Sequence, residues 1–358
     1  MNKIVCTFIA ATILFTACKK KDDPKTTEVT FPEMEQTVLN DFTNKVALPG
    51  YSDLQNKADA LYTALNNLNT TTNESNLATA RTAWKDLRTT WEQCEGFLFG
   101  PVEDNEYDPN MDTWPTDYHQ MDSLLSANSN ISVNDVQGIT LSLRGFHPIE
   151  YIIFGVGGAG TAAQITTAQK NYMISLATDV KNTCHALNDS WVGAGNYGEK
   201  VTKAGNGSDK YAKRQEVYLA MVGAMTDICG EVGEGKMKEP FGTSIATADS
   251  NIVESPYSNN STLDFKNNII GLKNVYMGKS DGKGLSYLVA SKNKDLDNRI
   301  QAQINAAVNS FDNITLPYGQ AIYGSQRTQI QNTMDALETL KTTLDGDLKA
   351  FVIQYITD

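Results

Sequence analysis

The segment "RGFHPIEYIIFG", residues 144–155, places an imidazole and a carboxylate where both can face one ion. His147 and Glu150 are separated by three positions, and side chains at that spacing share one face of a helix. Pro148 favours the first turn of a helix, and Gly145 gives the backbone freedom to bend just before it. The pattern predicts a helix that begins here and turns two polar side chains inwards, although a capped, hydrogen-bonded histidine is the commoner role for a lone His.

One histidine and one glutamate cannot complete a metal site, so further ligands must come from other segments. The best donors are Glu92 and Glu95 in "TWEQCEGF", which have the same spacing on an otherwise apolar helix. Carboxylates on an apolar face are costly unless they are paired or bind a cation, and bundle proteins build metal sites from facing helices. Arg88 precedes Glu92 by one turn and offers the alternative of an ordinary ion pair at the helix surface, which makes Glu95 the better ligand.

The zinc-peptidase signatures are absent from the sequence. There is no HExxH, and the inverted form H-x-x-E-H would need a histidine where Tyr151 stands. "GVGGAG" (155–160) fits a dinucleotide-binding pattern, but helices and not strands are predicted around it. Further polar candidates lie near apolar faces (Arg144, Arg214 and Glu216) or in a loop where they could bind a hard cation or simply cap helices (Asp108, Asp112 and Asp117).

The elements that must position these residues are helices. Apolar residues recur every three or four positions through five long stretches, residues 75–100, 162–192, 210–236, 293–312 and 325–356. No stretch alternates with a period of two, so no sheet is expected. Breaks rich in Gly, Pro and Asn are predicted at "LPGY" (48–51), 100–115, 155–160, 193–209 and 254–260.

A weak internal similarity suggests two related bundles. "HPIEYIIFG" (147–155) and "LPYGQAIYG" (316–324) agree at a proline, an isoleucine and an aromatic-Gly end, and chance is a serious alternative. We therefore predict an all-α protein with two helical-bundle domains, residues 31–158 carrying the H-x-x-E motif and residues 159–358 forming the second bundle.

The N-terminus has the pattern of a lipoprotein export signal. Lys3 precedes a short apolar run and small residues before Cys18, which indicates a signal peptide at residues 1–17, lipidation of Cys18 and a flexible tether over residues 18–30. This predicts a lipid-anchored protein of the outer membrane, with ordinary secretion as the alternative. "KKKDD" resembles an export tag for the cell surface, and a plain solvated tether is the other interpretation of this stretch. The formal net charge of -12 argues against nucleic acid as a partner.

The chain resembles the imelysin-like proteins, also called the M75 peptidase family. "GFHPIE" fits their G-x-H-x-x-E motif, and the likeness extends through residues 80–102, 112–117, 214–224 and 254–278. The resemblance implies an all-helical fold of two bundle-like domains and a role in iron uptake or an iron-regulated process. It also implies that Gly145, His147 and Glu150 belong to the functional site, with Glu95 as a less certain addition.

Three functions compete at this point. The first is an envelope lipoprotein that binds a metal ion, iron with zinc as the alternative, or an iron-containing ligand, and that serves iron uptake with other envelope proteins. The second is a metallopeptidase of the M75 type, in which Glu150 or Glu95 would act as the base beside a metal-bound water. The third is a non-catalytic module that binds a peptide, a glycan or a haem-like ligand.

Overall fold

The computed structural model describes residues 29–192 and 196–358, and throughout these ranges the chain forms helices and turns without a β-strand. The predicted all-α fold is therefore confirmed. None of the helices in these ranges is both long enough and apolar enough to cross a bilayer. The predicted signal peptide, the predicted lipidation site Cys18 and nearly all of the predicted tether lie outside the described residues.

The α-helices are numbered in chain order. The first nine are α1 (Phe31–Asp41), α2 (Leu48–Thr70), α3 (Glu74–Cys94), α4 (Pro101–Asp104), α5 (Tyr107–Asp112), α6 (Tyr118–Ala127), α7 (Val133–Gly138), α8 (Phe146–Phe154) and α9 (Thr167–Val192). The others are α10 (Tyr197–Thr202), α11 (Arg214–Gly230), α12 (Lys238–Phe241), α13 (Ser261–Met277), α14 (Leu285–Lys292), α15 (Lys294–Ser310), α16 (Tyr318–Ala321), α17 (Arg327–Thr343) and α18 (Lys349–Tyr355).

Shorter helical segments join or extend them. Three are π-helical: Phe42–Ala47, Glu231–Met237 and Leu344–Leu348. Seven are 3₁₀ turns: Glu95–Phe97, Leu141–Leu143, Val156–Gly158, Ala162–Gln164, Ile245–Thr247, Ser250–Ile252 and Phe311–Asn313.

The predicted break at "LPGY" is wrong, because α1 continues through a π-helical segment into α2. Pro49, which has no N–H to donate, falls in the first turn of α2 directly after the π-helical segment. The wider π turn is closed by the Leu48 N–H, which bonds the Thr43 carbonyl. Gly50 packs closely against α3, since a Cβ there would lie 3.3 Å from the Cys94 sulfur. The predicted break at 100–115 likewise contains two short helices, α4 and α5.

Helices α3 and α13 connect two groups of packed helices. On one side α2 packs against both α3 and α9, and α8 packs against α3 and α9. On the other side α13 packs against α11 and α15, and both of these contact α17. Helix α9 thus lies with the N-terminal group although it follows the boundary predicted near residue 158. That boundary and the internal repeat stay predictions, and the candidate site residues lie where α3 packs against α8 and α13.

Candidate functional site

Helix α8 begins at the motif, as the sequence predicts, with Gly145 as its N-cap and Pro148 in its first turn. Gly145 has φ of 79°, a left-handed conformation that glycine adopts readily. A Cβ at this position would lie only 1.9 Å from the carbonyl oxygen of Met111. The glycine of the motif therefore lets the start of α8 press against the end of α5, which carries Asp112.

His147 points into the protein and is only 3% exposed. Its Nε2 lies 2.9 Å from Asp112 Oδ1, and its Nδ1 lies 3.5 Å from Glu150 Oε2. Burial opposes protonation of the ring, but the hydrogen bonds to these two carboxylates outweigh burial and raise the pKa of His147 to about 9. In this arrangement His147 is a cation held between two acids.

Glu150 is anchored by the segment that follows residue 254. Its Oε1 accepts hydrogen bonds from the backbone N–H of Tyr257 (3.1 Å), from the backbone N–H of Ser258 (2.7 Å) and from the Ser258 hydroxyl (2.6 Å). Three donors on one oxygen satisfy a buried carboxylate and fix its position. The other oxygen of Glu150 is left facing His147, so Glu150 orients the imidazole.

Arg88 is the centre of the charged cluster and is completely buried. Its guanidinium contacts Asp112 and Glu92, lies 2.8 Å from Glu254 and lies 3.9 Å from Asp264. The ion pair with Glu92 that the sequence offered as an alternative thus exists, but it is buried and does not lie at the helix surface. Burial favours protonation of Asp112, yet Arg88 and His147 hold the pKa of this carboxyl well below its usual range.

Glu95 meets a cation that the sequence did not predict. Lys236, carried by the π-helical segment Glu231–Met237 and wholly buried, places its Nζ 3.1 Å from Glu95 Oε2 and 3.4 Å from Glu254 Oε1. Asn268 of α13 donates to Glu92 Oε2 at 2.6 Å and to Glu95. Burial and the charge of Glu92 raise the pKa of Glu95 well above its usual range, against the opposing charge of Lys236.

Two glycines bring α13 close enough for these contacts. A Cβ on Gly96 would lie 2.3 Å from the carbonyl carbon of Gly271, and a Cβ on Gly271 would lie 2.2 Å from the Gln93 carbonyl oxygen. Side chains larger than hydrogen would therefore separate α13 from the end of α3. The close approach is what lets Asn268 reach Glu92 and Glu95.

The other polar residues singled out from the sequence lie elsewhere or have structural partners. Arg144 forms a bidentate pair with Asp179, and Arg214 pairs with Glu35 at 3.1 Å. Glu216 accepts a hydrogen bond from the Lys213 N–H at the start of α11, and Asp117 accepts one from the Gln120 N–H at the start of α6. Asp112, by contrast, is at the centre of the cluster.

Asp108 lies at the edge of the same cluster. Burial and the neighbouring charge of Asp112 raise its pKa to about 7, above the ordinary value of a carboxyl group. It adds a further acid beside the buried charges of the cluster.

Four residues of the cluster were missed by the sequence analysis: Lys236, Glu254, Asp264 and Asn268. Asp264 and Asn268 do carry a signal, since they are polar, one helical turn apart and on the apolar face of α13. Lys236 and Glu254 carry none, because they lie in a helical segment with several charged residues and in a loop, where charged residues are common.

The buried groups include two sets of three ligand atoms that lie within 4.8 Å of one another. One set contains His147, Asp112 and Glu254, and the other contains Glu92, Glu95 and Asp112. Of the predicted metal ligands the structure thus brings His147, Glu92 and Glu95 towards Asp112. Glu150 joins neither set and lies behind the imidazole.

A small cavity lies beside His147 and Glu150. Its lining includes His147, Glu150, Trp114, Ser255 and Tyr257, and its volume is about 10 Å³. That volume is about the space of a single water molecule. A water molecule or a small ion fits in that space.

Comparison with known proteins identifies a protein family and a relative that are similar to this chain. A family model described as Imelysin (Peptidase M75) matches residues 47–344. "Iron-regulated protein A" of the cyanobacterium Synechococcus elongatus is 29% identical over 248 residues, which are 68% of this chain and 65% of that protein. The match therefore spans less than two thirds of that relative.

Two solved structures share the fold. A candidate iron-regulated protein A precursor from Parabacteroides distasonis superposes with a TM-score of 0.81 and 24% identity, over 91% of this chain and 95% of that chain. An imelysin-like protein from Psychrobacter arcticum gives a TM-score of 0.73 and 13% identity, over 92% and 99% of the two chains. At these identities the likeness establishes the helical architecture.

Proposed function

Because the chain belongs to the imelysin family, we propose that it is an envelope protein that binds a divalent iron ion in its buried charged cluster and serves iron uptake. The observation that carries this proposal is a surplus of negative charge. In the described part of the chain, the two permanent cations Arg88 and Lys236 and the ring of His147 are surrounded by six buried carboxylates, those of Glu92, Glu95, Asp112, Glu150, Glu254 and Asp264. Buried charges that are not balanced must take up protons or a cation.

The set of His147, Asp112 and Glu254 fits a metal ion by its donor chemistry. An imidazole nitrogen with carboxylate oxygens is a ligand set that iron and zinc accept. Glu254 supports the assignment, because its Oε2 is buried and has no hydrogen-bond partner among the described residues. Burial, opposed by Lys236, raises the pKa of Glu254 to about 7, so this carboxyl is ready to exchange its proton for a metal near neutral pH.

Glu150 has a positioning role in this proposal. A histidine that binds a metal through one nitrogen usually donates a hydrogen bond from the other to a carboxylate, which fixes the ring and raises its basicity. Glu150 stands on the Nδ1 side of His147, and Asp112 stands on the Nε2 side. The three donors hold Glu150 Oε1 in place and leave the other oxygen of Glu150 facing the imidazole. The glutamate of the H-x-x-E motif thereby orients the histidine of the motif.

Iron is the metal we propose, with zinc as the alternative. Carboxylates with one imidazole suit Fe²⁺, and no thiolate that would favour zinc approaches the described cluster. The cyanobacterial relative is named iron-regulated protein A, which is consistent with an iron-related role. Peptide cleavage has less support, because the sequence contains neither HExxH nor H-x-x-E-H.

The envelope location rests on the N-terminal sequence. We propose that Cys18 is lipidated and anchors the protein to the outer membrane, with the metal cluster held beyond the polar tether. Growth of cells with radiolabelled palmitate would label the wild-type protein and leave the Cys18→Ala variant unlabelled. Equal labelling of the two proteins would contradict the anchor.

The metal proposal is tested by anaerobic titration calorimetry with Fe²⁺. We expect the wild type to bind Fe²⁺, the His147→Ala variant to lose binding, and Glu150→Gln to bind about 10–100-fold more weakly. His185→Ala is the matched control, because His185 Nε2 lies 3.0 Å from Asp59 Oδ1 in a similar but half-exposed pair. Unchanged Fe²⁺ affinity in His147→Ala would exclude the proposed site.

A further inference from the structure

The predicted ligands at the H-x-x-E motif are closed off from solvent. His147 is 3% exposed, Asp112 is 7% exposed and Glu254 is completely buried. The cavity beside His147 and Glu150 has a volume of about 10 Å³, which is about the space of one water molecule. An ion therefore reaches these side chains only when residues that cover them move.

Residues 255–259, which we call the strap, cover this cavity. The strap is a turn between the 3₁₀ segment Ser250–Ile252 and α13, and its residues Ser255 and Tyr257 line the cavity. It makes no backbone-to-backbone hydrogen bond to the other described residues, whereas the helices around it keep their own regular hydrogen bonds. The strap is therefore the part of the covering that moves at the lowest cost.

The strap is held closed by one carboxylate oxygen and by two aromatic rings. Oε1 of Glu150 receives both backbone N–H groups, from Tyr257 and Ser258, and the Ser258 hydroxyl, so one movement of the strap breaks all three bonds. The Tyr257 ring packs edge to face on Tyr118 of α6 and on Tyr151 of α8, with ring centroids 5.2 and 5.1 Å away. These contacts join the strap to two helices.

Both ends of the strap have a left-handed backbone. Ser255 has φ of 49° and Asn259 has φ of 54°, a conformation that is unfavourable for residues with a Cβ, more so for Ser than for Asn. Just beyond these ends the chain is anchored again, because the Ser261 hydroxyl donates to the Glu254 carbonyl and Asn260 donates to a carboxylate of α13 at 2.6 Å. Rotation at Ser255 and Asn259 would thus move the strap alone and relieve strain that the closed form imposes.

We propose that the strap is a gate, which opens by rotation at Ser255 and Asn259 and moves Tyr257 away from Tyr118 and Tyr151. The open gate lets a small cation reach His147. The passage of an ion rests on the function proposed above, whereas the opening of the strap does not.

Hydrogen exchange of the full-length protein, measured by mass spectrometry without metal, tests the opening. The amides of Tyr257 and Ser258 should exchange through a local opening, at a rate that stays constant when urea is added below the unfolding transition. The amides of Leu87 and Trp91 in α3 should exchange faster as urea is added, because they exchange on global unfolding. If the strap amides respond to urea as those of α3 do, the gate is overturned.

Tyr118→Leu removes one ring that holds Tyr257 and leaves the strap sequence unchanged. Exchange of the Ser258 amide should become about 2–10-fold faster, as expected for the loss of one aromatic pair. Tyr355→Leu is the matched control, because its ring packs 4.9 Å from Phe351 in α18 and it should exchange like the wild type. Equal exchange of Ser258 in Tyr118→Leu and the wild type would overturn the gate.

The rate of Fe²⁺ binding separates the gate from the metal site. It is measured anaerobically by stopped-flow tryptophan fluorescence, since the Trp91 indole donates to Asp112. Fe²⁺ should bind to Tyr118→Leu faster than to the wild type, by the same factor as the Ser258 amide exchanges faster. If the strap opens locally but the wild type binds no Fe²⁺, the proposed function fails and the gate stands. Equal binding rates despite faster exchange in Tyr118→Leu would overturn the gate.

Discussion

The Nε2 atom of His147 lies 2.9 Å from Oδ1 of Asp112, and the same oxygen also contacts Arg88. One carboxylate oxygen thus connects the motif helix α8 to the end of α5 and to the middle of α3. The other oxygen of Asp112 accepts a hydrogen bond from the Trp91 indole at 2.6 Å. Asp112 is therefore both the shared member of the two ligand sets and the residue that holds three segments together.

The first prediction concerns the stability of the metal-free protein as the pH rises. The pKa of His147 is about 9 in the folded protein, above its ordinary value of 6.5. The folded state holds this proton more tightly, so the stabilisation is complete below about pH 6.5 and is lost as the pH rises through about 9. We expect the free energy of unfolding to fall by about 3 kcal/mol across this window from this group.

Urea unfolding at a series of pH values measures this change. The His147→Gln variant should show a flatter profile between pH 6.5 and 9, because it lacks the titrating ring. His185→Gln, altered at a half-exposed histidine, should retain the wild-type slope. A profile in His147→Gln as steep as that of the wild type would show that other groups cause the loss.

A second prediction separates backbone strain from steric clash at the motif glycine. Gly145 and Gly157 both have positive φ, 79° and 67°, but only a Cβ at Gly145 would meet another atom, the Met111 carbonyl at 1.9 Å. Gly157→Ala should cost about 1 kcal/mol of unfolding free energy from its conformation alone. Gly145→Ala should cost several kcal/mol more in chemical denaturation, and equal costs would contradict the assigned role of the contact.

The sequence predicts local features of the site well and long-range ones poorly. The start of α8 at the motif and the inward placement of His147 follow from Gly145 and Pro148, which act on neighbouring residues. Which residues meet at the site depends on how the helices pack, and no local sequence pattern predicts that packing. Lys236 is buried because a π-helical segment extends α11 towards Glu95.

The predicted helix break at "LPGY" was wrong for a related reason. Pro49 in "LPGY" is a breaker in the interior of a helix, but it is tolerated in the first turn after a π-helical segment. The polar residues on α3 also show that sequence spacing does not predict burial. The spacing of Arg88 and Glu92 predicts their ion pair, yet only the packing of α13 against α3 shows that the pair is buried.

A third prediction concerns the cost of removing the central cation. Arg88→Met would leave Glu92, Asp112 and Glu254 without their shared partner in a buried environment. The loss of one member of a buried charge network costs about 3–5 kcal/mol. We expect Arg88→Met to unfold at a much lower urea concentration than the wild type at pH 7.

Two further variants test the origin of that cost. Arg299→Met removes an arginine from a half-exposed pair with Asp347 and should change stability by less than about 1 kcal/mol. Adding Glu92→Gln to Arg88→Met should restore part of the lost stability, because one bare carboxylate is removed. If the double variant is no more stable than Arg88→Met, lost packing and not uncompensated charge explains the effect.

The last prediction tests whether the close approach of α13 and α3 builds the charged cluster. A Cβ at Gly271 would lie 2.2 Å from the Gln93 carbonyl oxygen, so Gly271→Ala must push the helices apart and should cost about 1–3 kcal/mol. Gly223 is also helical but has no atom within 4 Å of an added Cβ, and Gly223→Ala should instead stabilise the protein by about 0.5–1 kcal/mol. Asn268 lies one turn before Gly271, so the shift would also weaken its hydrogen bonds to Glu92 and Glu95 and reduce Fe²⁺ binding in the charged cluster. The melting temperature and the Fe²⁺ affinity should therefore both fall in Gly271→Ala, whereas Gly223→Ala should keep the wild-type Fe²⁺ affinity. Full metal binding in a destabilised Gly271→Ala protein would show that the crossing of the helices supports the fold without positioning the cluster.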